Sequence, residues 1–229
     1  MTIKVVGHRG ACGYAPETTI ASYQLAIQMG ADFAEADVHR SRDGVLVAIH
    51  DADVSRTTNG KGCVADLTLA ELQALDAGSW FNKAFPEKAR PDYAGLRVPT
   101  LQEVVDAVRE SRTDLFIEMK EPERYQPDLE SALLSLIRSN GMGKRVRIIS
   151  FSAPSLHKIK EIDPSMSTVL LIAKPEGDPI AACLRISADE LGILYTQATA
   201  ALVGEAHRCG LRISVWTVDH PEDMERMIS

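Results

Sequence analysis

Charged residues on strand-like segments are the first feature of this 229-residue sequence that could do chemistry. In Phe33-Ala34-Glu35-Ala36-Asp37-Val38 the two carboxylates stand at i and i+2, so on a strand they share one face. A parallel strand buried on both faces would force them to repel and to lose hydration, and a cation between them removes both penalties. The spacing recurs in Leu115-Phe116-Ile117-Glu118-Met119-Lys120, where Glu118 and Lys120 share a face. Three carboxylates from two strands make an all-oxygen site, which suits Mg²⁺ or Ca²⁺ better than zinc. The competing reading is strand-end carboxylates that are solvated or paired with lysines.

Two histidines could move protons. His8 ends a short apolar run and is followed by Arg9, with Gly7 and Gly10 on either side. The glycines would allow close backbone approach to a ligand, and the guanidinium offers a planar fork for phosphate oxygens. His50 ends another run, in Ala48-Ile49-His50-Asp51. Two imidazoles beside a metal can act as general acid and general base. Trp216 stands near the end of a late strand, where it could pack on a small substrate or serve as a core aromatic. His39, His157, His207 and His220 have no supporting context and read as surface or structural residues. Cys12 lacks a partner histidine at a diagnostic spacing, so a thiol nucleophile is not expected.

These residues must be positioned by alternating strands and helices. The patterns predict parallel strands at Ile3–His8, Phe33–Val38, Leu115–Lys120, Val146–Phe151, Thr168–Ile172, Gly192–Tyr195 and Arg212–Val218. Amphipathic helices are predicted near Thr19–Met29, Leu101–Glu110, Leu129–Ser139, Ser155–Ile162, Ile180–Ile186 and Ala200–Cys209. Thr100 with Glu103 has capping-box spacing, and Gly30 and Gly210 fall where helix-terminating glycines are expected. Repeated strand–helix units imply a parallel sheet with helices outside it. Val45–His50 is the exception: only Ser41-Arg42-Asp43-Gly44 precedes it, too short for a parallel crossover and right for a hairpin. It should run antiparallel to its predecessor and open an insertion, residues 45–98, with a short capped helix at Thr68–Ala74. The expected architecture is one α/β domain over residues 1–229, a TIM-type barrel with residues 45–98 as a cap inserted after the second strand. A helix is predicted at Pro221–Met227, after which an eighth parallel strand is absent from this chain, read as truncation.

The net charge of −7 argues against a general nucleic-acid surface. An acidic protein that grips phosphate needs focused positive charge or a metal. The four cysteines form no CxxC pair and read as thiols in a reducing compartment. No apolar stretch has the length of a signal-peptide core or a membrane span, so a cytoplasmic protein without stable membrane insertion is expected. Oligomeric state has no signature in the sequence.

In order along the chain, Gly7-His8-Arg9-Gly10, Pro16-Glu17-Thr18-Thr19, Glu35-Ala36-Asp37-Val38, Asp43-Gly44, His50-Asp51, Arg56-Thr57-Thr58-Asn59-Gly60, Gly62, Pro99-Thr100-Leu101, Glu118-Met119-Lys120, Ser150-Phe151 and Val215-Trp216-Thr217-Val218 resemble the glycerophosphodiester phosphodiesterase family. The resemblance implies a TIM barrel and hydrolysis of a glycerophosphodiester to glycerol 3-phosphate and an alcohol. It implies a divalent metal on Glu35, Asp37 and Glu118, and acid–base catalysis by His8 and His50. Arg9 and Lys120 match phosphate-holding residues, and Trp216 an aromatic lining the substrate pocket. The family usually has Asn at Thr18 and at Asp219, and usually continues through one more strand. A related barrel phosphodiesterase for lysophospholipid or sphingomyelin-like substrates, and a non-catalytic metabolite-binding barrel, are the competing expectations.

Overall fold

A computed structural model describes residues 3–120 and 128–228. The chain divides into two compact units, one spanning Lys4–Val146 and the other taking the chain from Arg147 onward. The first contains β1 (Val6–Gly7), α1 (Ile20–Gln28), β2 (Phe33–Arg40), β3 (Leu46–Ala48), α2 (Leu69–Gln73), α3 (Ser79–Ala84), α4 (Leu101–Arg109), β4 (Asp114–Met119) and α5 (Leu129–Ser139). β1 and β4 flank β2 in parallel. Every residue of β2 from Phe33 to His39 is buried, as a strand covered on both faces requires.

The hairpin expectation holds. β3 pairs antiparallel with β2, Val38 opposite Ala48. Gly44 closes the turn at φ 89°, donating to the Ser41 carbonyl at 2.9 Å, a backbone conformation that L side chains rarely adopt. Asp43 ties this turn to the helix beyond it by accepting from the Leu69 amide at 2.9 Å. The insertion then builds an apolar cluster from Val47, Ile49, Val54, Val64, Leu72 and Val98. Thr68 caps α2 in a full capping box with Glu71, and Thr100 caps α4 in the same way with Glu103. α3 was not legible beforehand: it is six residues long, and Gly78 supplies no side-chain cap.

The second unit begins as β5 (Val146–Ser150) leaves the first, then runs α6 (Ala153–Ile162), β6 (Ser167–Ile172), α7 (Pro179–Arg185), β7 (Glu190–Leu194), α8 (Ala200–Arg208), β8 (Arg212–Trp216) and α9 (Pro221–Ile228). Its four strands pair in parallel in sequence order. Glu190, 1% exposed on β7, is compensated by Arg147 on β5 at 2.6 Å and Arg212 on β8 at 3.1 Å. Three parallel strands in one unit and four in the other give the seven expected among the described residues. β1 is shorter than its apolar run suggests, because Ile3 and Val5 lie exposed and the chain turns at His8.

Candidate active site

Parallel register brings the acidic residues together. Asp37 on β2 is the direct partner of Glu118 on β4, and Glu35 lies two residues earlier on the same face. One oxygen from each of Glu35, Asp37 and Glu118 lies within 4.8 Å of the others, and all three residues are buried. Glu35 Oε1 and both Asp37 oxygens are buried with no hydrogen-bond partner. Buried carboxylate oxygens of native proteins are normally satisfied, so these three atoms fit a hard divalent cation. Burial, then the charges of Asp37 and Glu118, push the Glu35 carboxyl well above the usual carboxylate range. Burial also raises Glu118, against the pull of Lys120.

Two cations border this cluster. Lys120 Nζ is 2.6 Å from Glu118 Oε1 and 2.9 Å from Asp37 Oδ1. Lys120 therefore pairs with both carboxylates of adjacent strands. Burial works against the Lys120 ammonium, but Asp37 and Glu118 outweigh it and raise its pKa. The Arg9 amide donates to Glu35 Oε2 at 2.8 Å, and Arg9 Nε stands 3.6 Å from Asp37 Oδ2.

Arg9 occupies left-handed backbone, φ 53°, in a loop that only glycine neighbours allow. A Cβ on Gly10 would come 2.5 Å from Ser22 Oγ, and one on Gly7 would come 2.7 Å from the Gly10 carbonyl oxygen. The glycines therefore admit the protein's own backbone and α1, a different use from the ligand approach expected of them. Thr18 is also left-handed, φ 55°, buried, with its amide donating to the Arg9 carbonyl at 3.1 Å. A β-branched residue is strained there, and asparagine tolerates it. Thr18→Asn should therefore stabilise the protein by about 1 kcal/mol. A raised urea midpoint at unchanged slope checks this, and a lowered midpoint counts against it.

His8 is half-buried, and burial followed by the Arg9 charge lowers its pKa to about 4. It is neutral at pH 7 in the metal-free site and equipped to accept a proton. His50 Nδ1 donates to Asp51 Oδ1 at 2.5 Å, which orients the ring and fixes its tautomer. The Arg56 side chain, by hydrogen bonding, lowers Asp51 to about 2 despite partial burial. His39, read from sequence as a surface or structural residue, is buried and donates from Nε2 to the His50 carbonyl at 3.1 Å.

The first unit thus gathers seven of the eight residues singled out in the sequence: His8, Arg9, Glu35, Asp37, His50, Glu118 and Lys120. In the second unit, Trp216 is the last residue of β8 and packs edge-on against Phe151, ring centres 5.4 Å apart. Its Nε1 is buried without a partner. Sequence reasoning gave no role to Glu17, Asp51 or Arg56, although all three fall inside the quoted motifs. Their one legible signal is a charged residue in a short motif flanked by turn formers.

A carboxylate cluster on parallel strands, with two histidines and two cationic side chains in the same unit, suits a hydrolase of the α/β class. The chain belongs to the glycerophosphoryl diester phosphodiesterase family, whose model matches residues 8–229. A glycerophosphodiester phosphodiesterase of Bacillus subtilis is 40% identical over 238 aligned positions, covering 99% of this chain and 80% of that one. The crystal structure of a glycerophosphodiester phosphodiesterase from Agrobacterium tumefaciens is 31% identical with a TM-score of 0.84, over 99% of this chain and 92% of that one. A phosphodiesterase from Oleispira antarctica, solved with the product sn-glycerol-3-phosphate, has a TM-score of 0.89 at 26% identity, over 98% of this chain and 88% of that one. The TIM-barrel fold class expected from the sequence is shared with these structures. Among the described residues no helix is long and apolar enough to cross a membrane.

Proposed function

We propose that the protein hydrolyses small glycerophosphodiesters to glycerol 3-phosphate and an alcohol in a reaction that depends on a divalent cation. The observation that carries the reading is the buried carboxylate cluster of Glu35, Asp37 and Glu118, in which Glu35 Oε1 has no hydrogen-bond partner, with His8 and His50 in the same unit. The product bound to the Oleispira antarctica relative supports the substrate class.

Glu35, Asp37 and Glu118 would hold the cation, Mg²⁺ or Ca²⁺ by their all-oxygen chemistry. When bound, it supplies Lewis-acid stabilisation of charge on a phosphate oxygen. Arg9 and Lys120 orient the phosphate and offset its charge, the local positive focus that an acidic protein needs. His8 and His50 divide the two proton transfers, one drawing a proton from the attacking hydroxyl or water, the other returning one to the departing alcohol. Trp216, at the end of β8, would offer substrate an apolar face. Residues 45–98 act as an inserted cap within a single catalytic domain.

Glycerol 3-phosphate release from glycerophosphocholine should stop with EDTA and return with Mg²⁺, Mn²⁺ or Ca²⁺. Release that ignores the chelator would remove the cation from the proposal and leave the hydrolysis. No release from folded, metal-replete protein on any small glycerophosphodiester would sink the substrate assignment.

A further inference from the structure

Arg56 is part of no metal or proton-transfer set, yet it is the most heavily committed side chain beside the site. Its Nε donates to Asp51 Oδ2, and Nη2 donates to Asp51 Oδ1 at 3.2 Å. Nη2 also donates to Glu17 Oε1 at 2.7 Å, and Nη1 to Glu17 Oε2 at 3.0 Å. All three nitrogens of one planar fork are thus spent on two carboxylates, a geometry that lysine cannot reproduce. Each carboxylate in turn holds a residue of the site. Asp51 accepts from His50 Nδ1, and Glu17 accepts from Arg9 Nη1 at 2.9 Å. The series Arg9–Glu17–Arg56–Asp51–His50 is continuous, alternates in charge from Arg9 to Asp51, and joins the loop after β1 to the start of the insertion, 39 residues apart between Glu17 and Arg56. Glu17 is only 9% exposed and would be costly to bury without its two guanidinium partners.

We propose that Arg56 is a positioning residue: clamped by Glu17, it fixes Asp51 and so the ring orientation and tautomer of His50, at a set distance from Arg9. The proposal rests on the reading of His50 as a proton-transfer residue. An exposed arginine near a phosphodiester site invites the alternative role of gripping phosphate. The bonds argue against it, because four of its five N–H groups are already occupied within the protein. A brace and a grip predict different kinetics. Loss of a brace loosens reacting geometry and lowers kcat, whereas loss of a ground-state grip raises KM.

The test uses the full chain with divalent metal and compares Arg56→Lys, Glu17→Gln, Asp51→Asn and the Arg56→Lys/Asp51→Asn pair. Arg56→Lys is expected to lower kcat by roughly 10–100-fold with KM within about twofold. The double variant should lose little beyond Asp51→Asn, since both act through one histidine. In ¹⁵N-histidine spectra the His50 Nδ1–H signal should shift or exchange faster in Arg56→Lys and in Glu17→Gln, although neither residue touches the ring. A raised KM at unchanged kcat, losses that multiply in the double variant, or an unaltered His50 signal would each overturn the brace. The spectra decide the matter without activity, so a protein inactive on every glycerophosphodiester would refute the function while still answering whether Arg56 holds His50. If Arg56→Lys fails to fold, Glu17→Gln carries both readouts.

Discussion

Replacing either His8 or His50 with alanine is expected to lower kcat by about 10²–10⁴-fold while the protein stays folded, the range for losing a positioned acid or base. Neither ring is a core element. His8 is half-buried and His50 is 30% exposed, so each truncation removes chemistry with little packing. Circular dichroism and metal binding should therefore match the parent. The two variants differ in acid. In the parent, the unfolded chain protonates His8 near 6.5 but the folded metal-free chain only near 4, so folding loses stability as pH falls through that window. His8→Ala removes this loss, and its metal-free melting temperature should fall less between pH 6.5 and pH 4 than that of His50→Ala. Near-parental kcat in either variant would remove that histidine from proton transfer.

The second large effect concerns Glu35. Glu35→Gln is expected to stabilise the metal-free protein at neutral and alkaline pH, to abolish the rise in melting temperature on adding metal, and to lower kcat by about 10²-fold or more. The sign follows from burial and from repulsion by Asp37 and Glu118, which raise the folded pKa of Glu35. Its ionised form is thus penalised in the folded state, and stability falls as pH climbs past the unfolded value of 4.5. The amide has the same shape without the charge and can still accept from the Arg9 amide. For the parent, metal at 100 times its Kd should add about 2.7 kcal/mol. Thermal melts with EDTA and with Mg²⁺ or Ca²⁺ separate the outcomes. Unchanged metal stabilisation in the variant would take Glu35 out of the coordinating set.

What the sequence made legible was whatever depends on local period. Glu35 and Asp37 had to share a face because strands repeat every second residue, and four residues ending in Asp43-Gly44 had to make a hairpin. The pairing of Asp37 with Glu118 followed from neighbouring parallel strands. Contacts across long loops were not legible. Glu17 meets Arg56 only because the insertion folds back over 39 residues, and nothing in either local pattern distinguishes a buried glutamate from a solvated one. What packs against Gly7 and Gly10 is equally non-local or loop-specific: the Gly10 carbonyl at the first and Ser22 of α1 at the second. Nothing in the local pattern marks Tyr23 as fully buried with its hydroxyl unpartnered.

The hairpin that opens the insertion has a practical corollary for loop exchange between relatives. His50, Asp51 and Arg56 all lie in its first stretch, directly after β3. A graft whose seam falls at Gly44 replaces His50, one of the two histidines proposed for proton transfer, along with the rest of residues 45–98. A graft whose seam falls beyond Arg56 trades only α2, α3 and their surroundings, provided that Val64, Leu72 and Val98 keep partners for Val47 and Ile49. Chimeras made at the two seams should divide accordingly, the first exchanging catalytic behaviour between parents and the second leaving it with the recipient.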